Sequence, residues 1–168
     1  NLHPRVDILS PGPGVGGHCI AVDPWFIVSS DRNNAKLIAK ARQVNDAKPD
    51  WVVKKFRLLL ESYVAKYEVK SSQIRVNVCG LSFKPNIDDL RGSPALLIAQ
   101  HITASFDCDF WFYEPNIDVL PLNLTGHQKC DFNEFVNNGD VYLILVAHDQ
   151  VQGLSIDCEY ILDTVGAL

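Results

Sequence analysis

"IRVNVCGLSFKPNIDDLRGSPALLIAQHI", Ile74 to Ile102, decides the fold. Its opening "IRVNVCGL" is a short run rich in β-branched residues and reads as a strand. Its close, "SPALLIAQHI", reads as a helix with Ser93 as N-cap and Pro94 at the first helical position, where the missing N–H costs nothing. Downstream the pattern repeats. "CDFWFYEP" reads as a second strand, "FNEFVNNG" as a short helix with Gly139 beyond its end, "DVYLILVAH" as a third strand and "YILDTVG" as the last. Short apolar runs separated by helices are expected of a parallel sheet covered on both faces. Residues 71–168 are therefore expected to form a small doubly wound, Rossmann-like α/β domain.

Upstream of Ile74 the period changes. From about Asn33 to Lys66, Leu37, Ile38, Ala41, Val44, Val52, Phe56, Leu59, Leu60 and Tyr63 recur at helical steps. Pro49 divides this stretch into two helices or one kinked helix. Its apolar positions look too many to be covered by a domain that begins near Ile74, so residues 31–70 are expected to form a homodimer interface. Residues 1–30 are rich in Gly and Pro and read as loop, with short extended pieces around "RVDIL" and "WFIV".

Bulk composition narrows the function. An apolar content of 47% with 21% charged residues describes a soluble globular chain, and a net charge of −5 offers no broad basic field for nucleic acid. No stretch reaches the roughly 18 apolar residues needed to cross a bilayer, and no signal pattern precedes the Gly-rich loop. No membrane association and a cytoplasmic location are the expectation. The chain begins at Asn1 and holds no methionine, which suggests a piece of a longer protein. Five cysteines, an odd count with no C-x-x-C pair, argue against a disulfide framework or a zinc knuckle, and no metal is assigned. Cys79 and Cys108 fall in strands and read as inert. Cys19 alone lies in a glycine-rich turn.

That turn is "SPGPGVGGHCIAVDPWF", Ser10 to Phe26. Gly12, Gly14 and Gly17 match the G-x-G-x-x-G spacing of dinucleotide sites, and Gly12 to Cys19 mimics P-loop spacing. A dinucleotide fingerprint must open a helix, and β-branched residues and Pro24 stand where its first turns should be. A P-loop needs a lysine's charge, and His18 is largely neutral at pH 7. A catalytic thiol uses the residues better. Backbone N–H groups exposed by glycine can activate Cys19, which can attack an aldehyde, and Asp23, four residues on, can position the water that hydrolyses the resulting thioester. Against this stands the reading of Cys19 as a packed small residue and Asp23 as a cap before Pro24.

"GPGVGGHCIAVDPWF" resembles the nucleophile segment of the UDP-glucose/GDP-mannose dehydrogenase family, G-x-G-G-x-C with an Asp four residues on. "GLSFKPNIDDLRGSP" is similar to that family's second signature, G-L-x-F-K-x-x-x-x-D-x-R-x-S, and the helical "ARQVND" between them is also familiar. The resemblance covers the whole chain and corresponds to the family's C-terminal half, without its NAD-binding half. It implies an NAD-dependent, two-hydride oxidation of a UDP-sugar, with Cys19 as nucleophile and Asp23 beside it. It further implies that Gly16, Gly17, Phe83 and Lys84 hold the UDP-sugar and that Arg91 reaches the NAD pyrophosphate. Arg5 resembles an arginine that contacts the sugar across a dimer interface. "GGHCIAVDP" is most like the branch acting on UDP-N-acetylhexosamines; UDP-glucose enzymes usually carry Lys where this chain has Val22.

Each of these positions also has a plainer reading. Lys84 can be a solvated surface lysine, and Arg91 a local partner of Asp88 and Asp89. His18 and His148 read as local hydrogen-bonding residues. A non-catalytic nucleotide-sugar-binding or dimerisation module accounts for the same signatures. A Cys-dependent acyl transferase would need a His base that the sequence does not place near Cys19.

Overall fold

The computed structural model describes residues 3–6 and 8–168. Three helices come first: α1 (Asp23–Ser30), α2 (Lys36–Asp46) and α3 (Lys48–Tyr67). The α/β layers follow as β1 (Arg75–Cys79), α4 (Pro94–Ser105), β2 (Asp109–Tyr113), β3 (Gln128–Lys129), α5 (Phe132–Asn137), β4 (Val141–Ile144) and β5 (Ile161–Asp163). The strands form one parallel sheet in the order β3-β2-β1-β4-β5. The chain winds outward from β1 in one direction and from β4 in the other, which makes the fold doubly wound.

The local signals act where the sequence places them. Ser93 caps α4 by accepting the Leu96 N–H at 3.2 Å, with Pro94 in the first turn. Asp131 and Glu134 form a reciprocal capping box on α5. Pro49 sits in the first turn of α3, and Ala47 alone separates α2 from α3. Strand β3 is only two residues long, too short for any period to announce it.

One face of the sheet buries Val76, Val78, Phe110, Phe112, Val141 and Leu143 against α4 and α3. Helix α3 contributes Val52, Phe56 and Leu60, and α4 contributes Ile98, Ala99 and Ile102. The other face buries Cys79, Tyr113, Tyr142 and Ile144 against Phe135 of α5.

Three expectations are corrected here. "WFIV" is not extended: it lies inside α1, because Pro24 is tolerated in a helix's first turn and Asp23 favours the positive end of the helix dipole. Around "RVDIL" the described residues form no strand, Val6 closing a turn onto the His3 carbonyl at 3.0 Å, while Asp7 lies outside the described residues. The apolar stripe of α3 is covered by this chain's own sheet, so it does not call for a partner. On the helices upstream of β1, exposed apolar residues include Phe26, Ile27, Leu37, Val44, Trp51 and Leu58; others, such as Ile8, Leu9 and Ile20, lie in the segment before α1.

Candidate functional site

The sheet places its ligand-binding crevice where the winding reverses, between the carboxyl ends of β1 and β4. A cleft of about 830 Å³ opens there. Its walls come from Leu9–Gly16 of the Gly-rich segment, from Ser82–Pro85 after β1, from Leu145–Ala147 after β4 and from the last residues, Val165–Leu168.

Glycine is required where the first two walls meet. A Cβ on Gly16 would lie 2.3 Å from the Gly92 carbonyl oxygen and 2.6 Å from Pro94 Cδ. Gly17 has φ +88°, and a Cβ there would lie 2.9 Å from the Phe83 ring. The two signature segments, distant in sequence, are thus in direct contact. Asn45 of α2 fixes the approach: its Oδ1 accepts the Val15 N–H at 2.7 Å and its Nδ2 donates to the Val15 carbonyl at 3.2 Å.

Among the predicted residues, Gly16, Phe83 and Lys84 line the cleft, and Gly17 backs the Phe83 ring. Lys84 is exposed and enters none of the ion pairs among the described residues. Cys19 and Asp23 lie beyond the cleft wall, both exposed, on the turn that enters α1. The Asp23 N–H donates to the Cys19 carbonyl at 2.8 Å, which sets the two residues one helical turn apart. Arg91 is held by Asp89, whose carboxylate takes Nε at 2.9 Å and the terminal nitrogen at 2.6 Å; Asp88 has no part in this pair. The hydrogen bonds and charge of Asp89 raise the Arg91 pKa above its ordinary value. Arg5 is not brought to either group: it is exposed in the N-terminal turn, its N–H on His3 Nδ1 at 3.2 Å. His18 sits edge-on to Phe83 with ring centroids 6.4 Å apart.

Beneath the cleft floor lie two buried groups. Glu114, at the end of β2, accepts the N–H groups of Leu81 and Ser82 at 2.8 and 3.1 Å and faces His148 Nε2 at 3.2 Å. Burial pushes the Glu114 pKa up, but the bonds from His148, Leu81 and Ser82 outweigh it, so the carboxyl lies below its usual range. Sequence reasoning anticipated His148 as a hydrogen-bonding residue and missed Glu114 and Asn45. The signals were there: a charged residue at the end of an apolar strand in "FWFYEP", and a polar pair in "ARQVND".

The glycines at 12, 14 and 17 run into turns rather than a helix, and α1 starts only at Asp23. They do not form a dinucleotide fingerprint. Among the described residues no group of three His, Cys, Asp or Glu is placed to hold a metal ion.

The family model for the UDP-binding domain of the UDP-glucose/GDP-mannose dehydrogenase family matches residues 77–168, and the model for that family's central domain matches residues 1–47. The chain is 45% identical to the UDP-N-acetyl-D-mannosamine dehydrogenase of Escherichia coli K12 over 99% of its own length and 40% of the relative's. It is 44% identical to the NDP-N-acetyl-D-galactosaminuronic acid dehydrogenase of Ralstonia nicotianae, over 99% of this chain and 38% of that one. Among solved structures, the UDP-N-acetyl-mannosamine dehydrogenase of Staphylococcus aureus matches at 34% identity and a TM-score of 0.73, over 99% of this chain and 38% of that chain. The Pyrococcus horikoshii UDP-D-ManNAc dehydrogenase matches at 28% identity and a TM-score of 0.74, with the same coverage. The chain thus spans about 40% of the length of the curated relatives it matches. With its α/β layer and its Gly-rich segment each matched by that family's models, the chain belongs to the UDP-glucose/GDP-mannose dehydrogenase family.

Proposed function

We propose that this chain is the nucleotide-sugar-binding part of an NAD-dependent UDP-sugar 6-dehydrogenase that oxidises UDP-N-acetyl-D-mannosamine to UDP-N-acetyl-D-mannosaminuronate. The observation that carries this reading is the contact of Gly16 and Gly17 with Gly92, Pro94 and Phe83, which joins the Gly-rich segment and the loop bearing Lys84 as walls of one cleft, with Cys19 two residues past Gly17. The proposed division of the chain is an active-site segment over residues 1–30, a central helical segment over 31–70 and a UDP-sugar-binding domain over 71–168. Val22, in place of the lysine usual in UDP-glucose enzymes, favours an N-acetylhexosamine over glucose; UDP-N-acetylglucosamine and UDP-glucose are the alternative substrates.

In this mechanism the loop N–H groups and the Lys84 ammonium hold the UDP-sugar. Cys19 attacks the C6 aldehyde to give a thiohemiacetal, whose oxidation leaves a thioester. Asp23 positions the water that cleaves the thioester, releasing the carboxylate and returning the thiol. NAD, when bound, accepts the hydrides of the two oxidation steps. Arg91 supplies a cation toward its pyrophosphate. Arg5 is assigned to the nucleotide sugar across a dimer interface, and the central segment 31–70, which exposes Leu37, Val44, Trp51 and Leu58, provides the homodimer contact. The enzyme is assigned to the cytoplasm; no helix of the described residues is long and apolar enough to cross a membrane.

The division of labour is testable by calorimetry and an NAD-reduction assay. The chain should bind UDP-sugars without oxidising them. Lys84→Ala should weaken that binding by roughly 1–3 kcal/mol, the range for a charge-assisted hydrogen bond. Unaided NAD reduction, or an unchanged affinity in Lys84→Ala, overturns the reading.

A further inference from the structure

We propose that Glu114 and His148 are positioning residues that latch the loop 81–86, and with it Lys84, into the shape that receives the ligand. The proposal rests on the reading of the cleft as a UDP-sugar site. Both side chains are 0% exposed and neither lines the cleft, so their effect on a ligand must pass through the loop.

The two residues grip the loop at opposite ends. At its start, Glu114 Oε2 accepts the N–H groups of Leu81 and Ser82. At its end, His148 Nδ1 accepts the Asn86 N–H at 3.1 Å. With Nδ1 an acceptor, the proton of the neutral imidazole is on Nε2 and points at Glu114 Oε2, 3.2 Å away. One carboxylate and one imidazole therefore join the start of the loop to its end. Asn86, with φ +61°, is kept in this conformation by its own side chain: Nδ2 donates to Asp149 Oδ1 at 2.8 Å and Oδ1 accepts the Asp149 N–H at 3.1 Å. Inside the loop, Ser82 Oγ donates to the Lys84 carbonyl at 2.8 Å.

A buried carboxylate is expensive to desolvate, and an apolar pair would fill the same space at lower cost. What apolar residues cannot do is satisfy the three loop N–H groups that turn inward here. A lysine on an unrestrained loop would also lose loop entropy on binding; a loop already fixed does not.

The test combines amide hydrogen exchange of the ligand-free chain with UDP calorimetry, circular dichroism verifying the fold. In His148→Ala, exchange at residues 81–86 should quicken by about tenfold while the β1 amides stay protected, and UDP affinity should fall by about tenfold, one lost hydrogen bond to a charged or buried group. His148→Asn, which offers an acceptor near the Nδ1 position, should restore both. In a Lys84→Ala background, His148→Ala should cost clearly less affinity than it does in the wild-type chain, leaving only the part carried by the loop N–H groups, whereas a merely structural role would add its loss in full. Should His148→Ala fail to fold, Glu114→Gln keeps the shape, removes the charge and should give the same exchange signature. Unchanged exchange at 81–86 in these variants overturns the latch. Wild-type chain that fails to bind UDP overturns the functional reading instead, and the exchange data decide the latch without it.

Discussion

Asn45 holds Val15 by both of its main-chain groups, accepting the N–H and donating to the carbonyl as a neighbouring strand would. A side chain of α2 thereby sets the path of the Gly-rich segment just before Gly16. Asn45→Ala leaves both Val15 groups without these partners and should cost about 1–3 kcal/mol in a urea denaturation experiment. It should also weaken UDP binding, because the cleft wall is no longer fixed. Full stability in this variant would mean that water replaces the amide without penalty.

The glycines of the segment should differ sharply in tolerance. Gly16→Ala forces the new methyl against the Gly92 carbonyl and Pro94, both backbone-fixed, and should destabilise by about 2 kcal/mol or more. Gly12→Ala meets only Val165 Cγ1 at 3.6 Å, an ordinary contact, and should stay within about 0.5 kcal/mol of wild type. Thermal melts of the two variants side by side give the comparison; equal shifts would show that the two signature segments are not in contact.

Thiol chemistry should single out Cys19. Burial pushes the thiols of Cys108 and Cys130 up to about 11, raises Cys158 and raises Cys79 strongly, while Cys19 is exposed. Iodoacetamide at pH 8 should therefore alkylate Cys19 first, and Cys19→Ser should remove the fast phase as read by peptide mass spectrometry. Rapid labelling of Cys79 or Cys130 in the folded chain would contradict the buried placement.

Acid should weaken the fold partly through Glu114. Its folded pKa lies below the ordinary value of 4.5, so its stabilising contribution is complete above that value and is lost as the pH falls through the folded pKa. Asp89 and Asp31 are also depressed and add to the acid limb. The difference in stability between wild type and Glu114→Gln should be largest near neutral pH and should shrink below about pH 4.5. A difference that does not change with pH would assign the Glu114 effect to shape rather than charge.

Much of the fold is legible in the sequence because its signals are local. Ser93 and Pro94 announce the start of α4, β1, β2 and β4 are short apolar runs, and Pro49 marks the break before α3. Strand β3 and helix α1 are not legible in this way. The first has two residues, and the second shows Pro24 and a run of apolar residues without helical amphipathicity, none of them buried in this chain. For the site, the motifs identify Gly16, Gly17, Phe83 and Lys84, which the structure gathers on one cleft or its wall. Asn45, Glu114 and His148 act across long sequence separations, and no periodicity encodes which backbone group a buried polar side chain will meet.

The junction at Ala47 gives the molecule a mechanical character. Helix α3 is anchored in the sheet by Val52, Phe56 and Leu60; α2 follows it across one residue, and α2 carries Asn45. The cleft rim at Val15 is therefore moored, through one side chain and the single residue Ala47, to a helix that is itself part of the core.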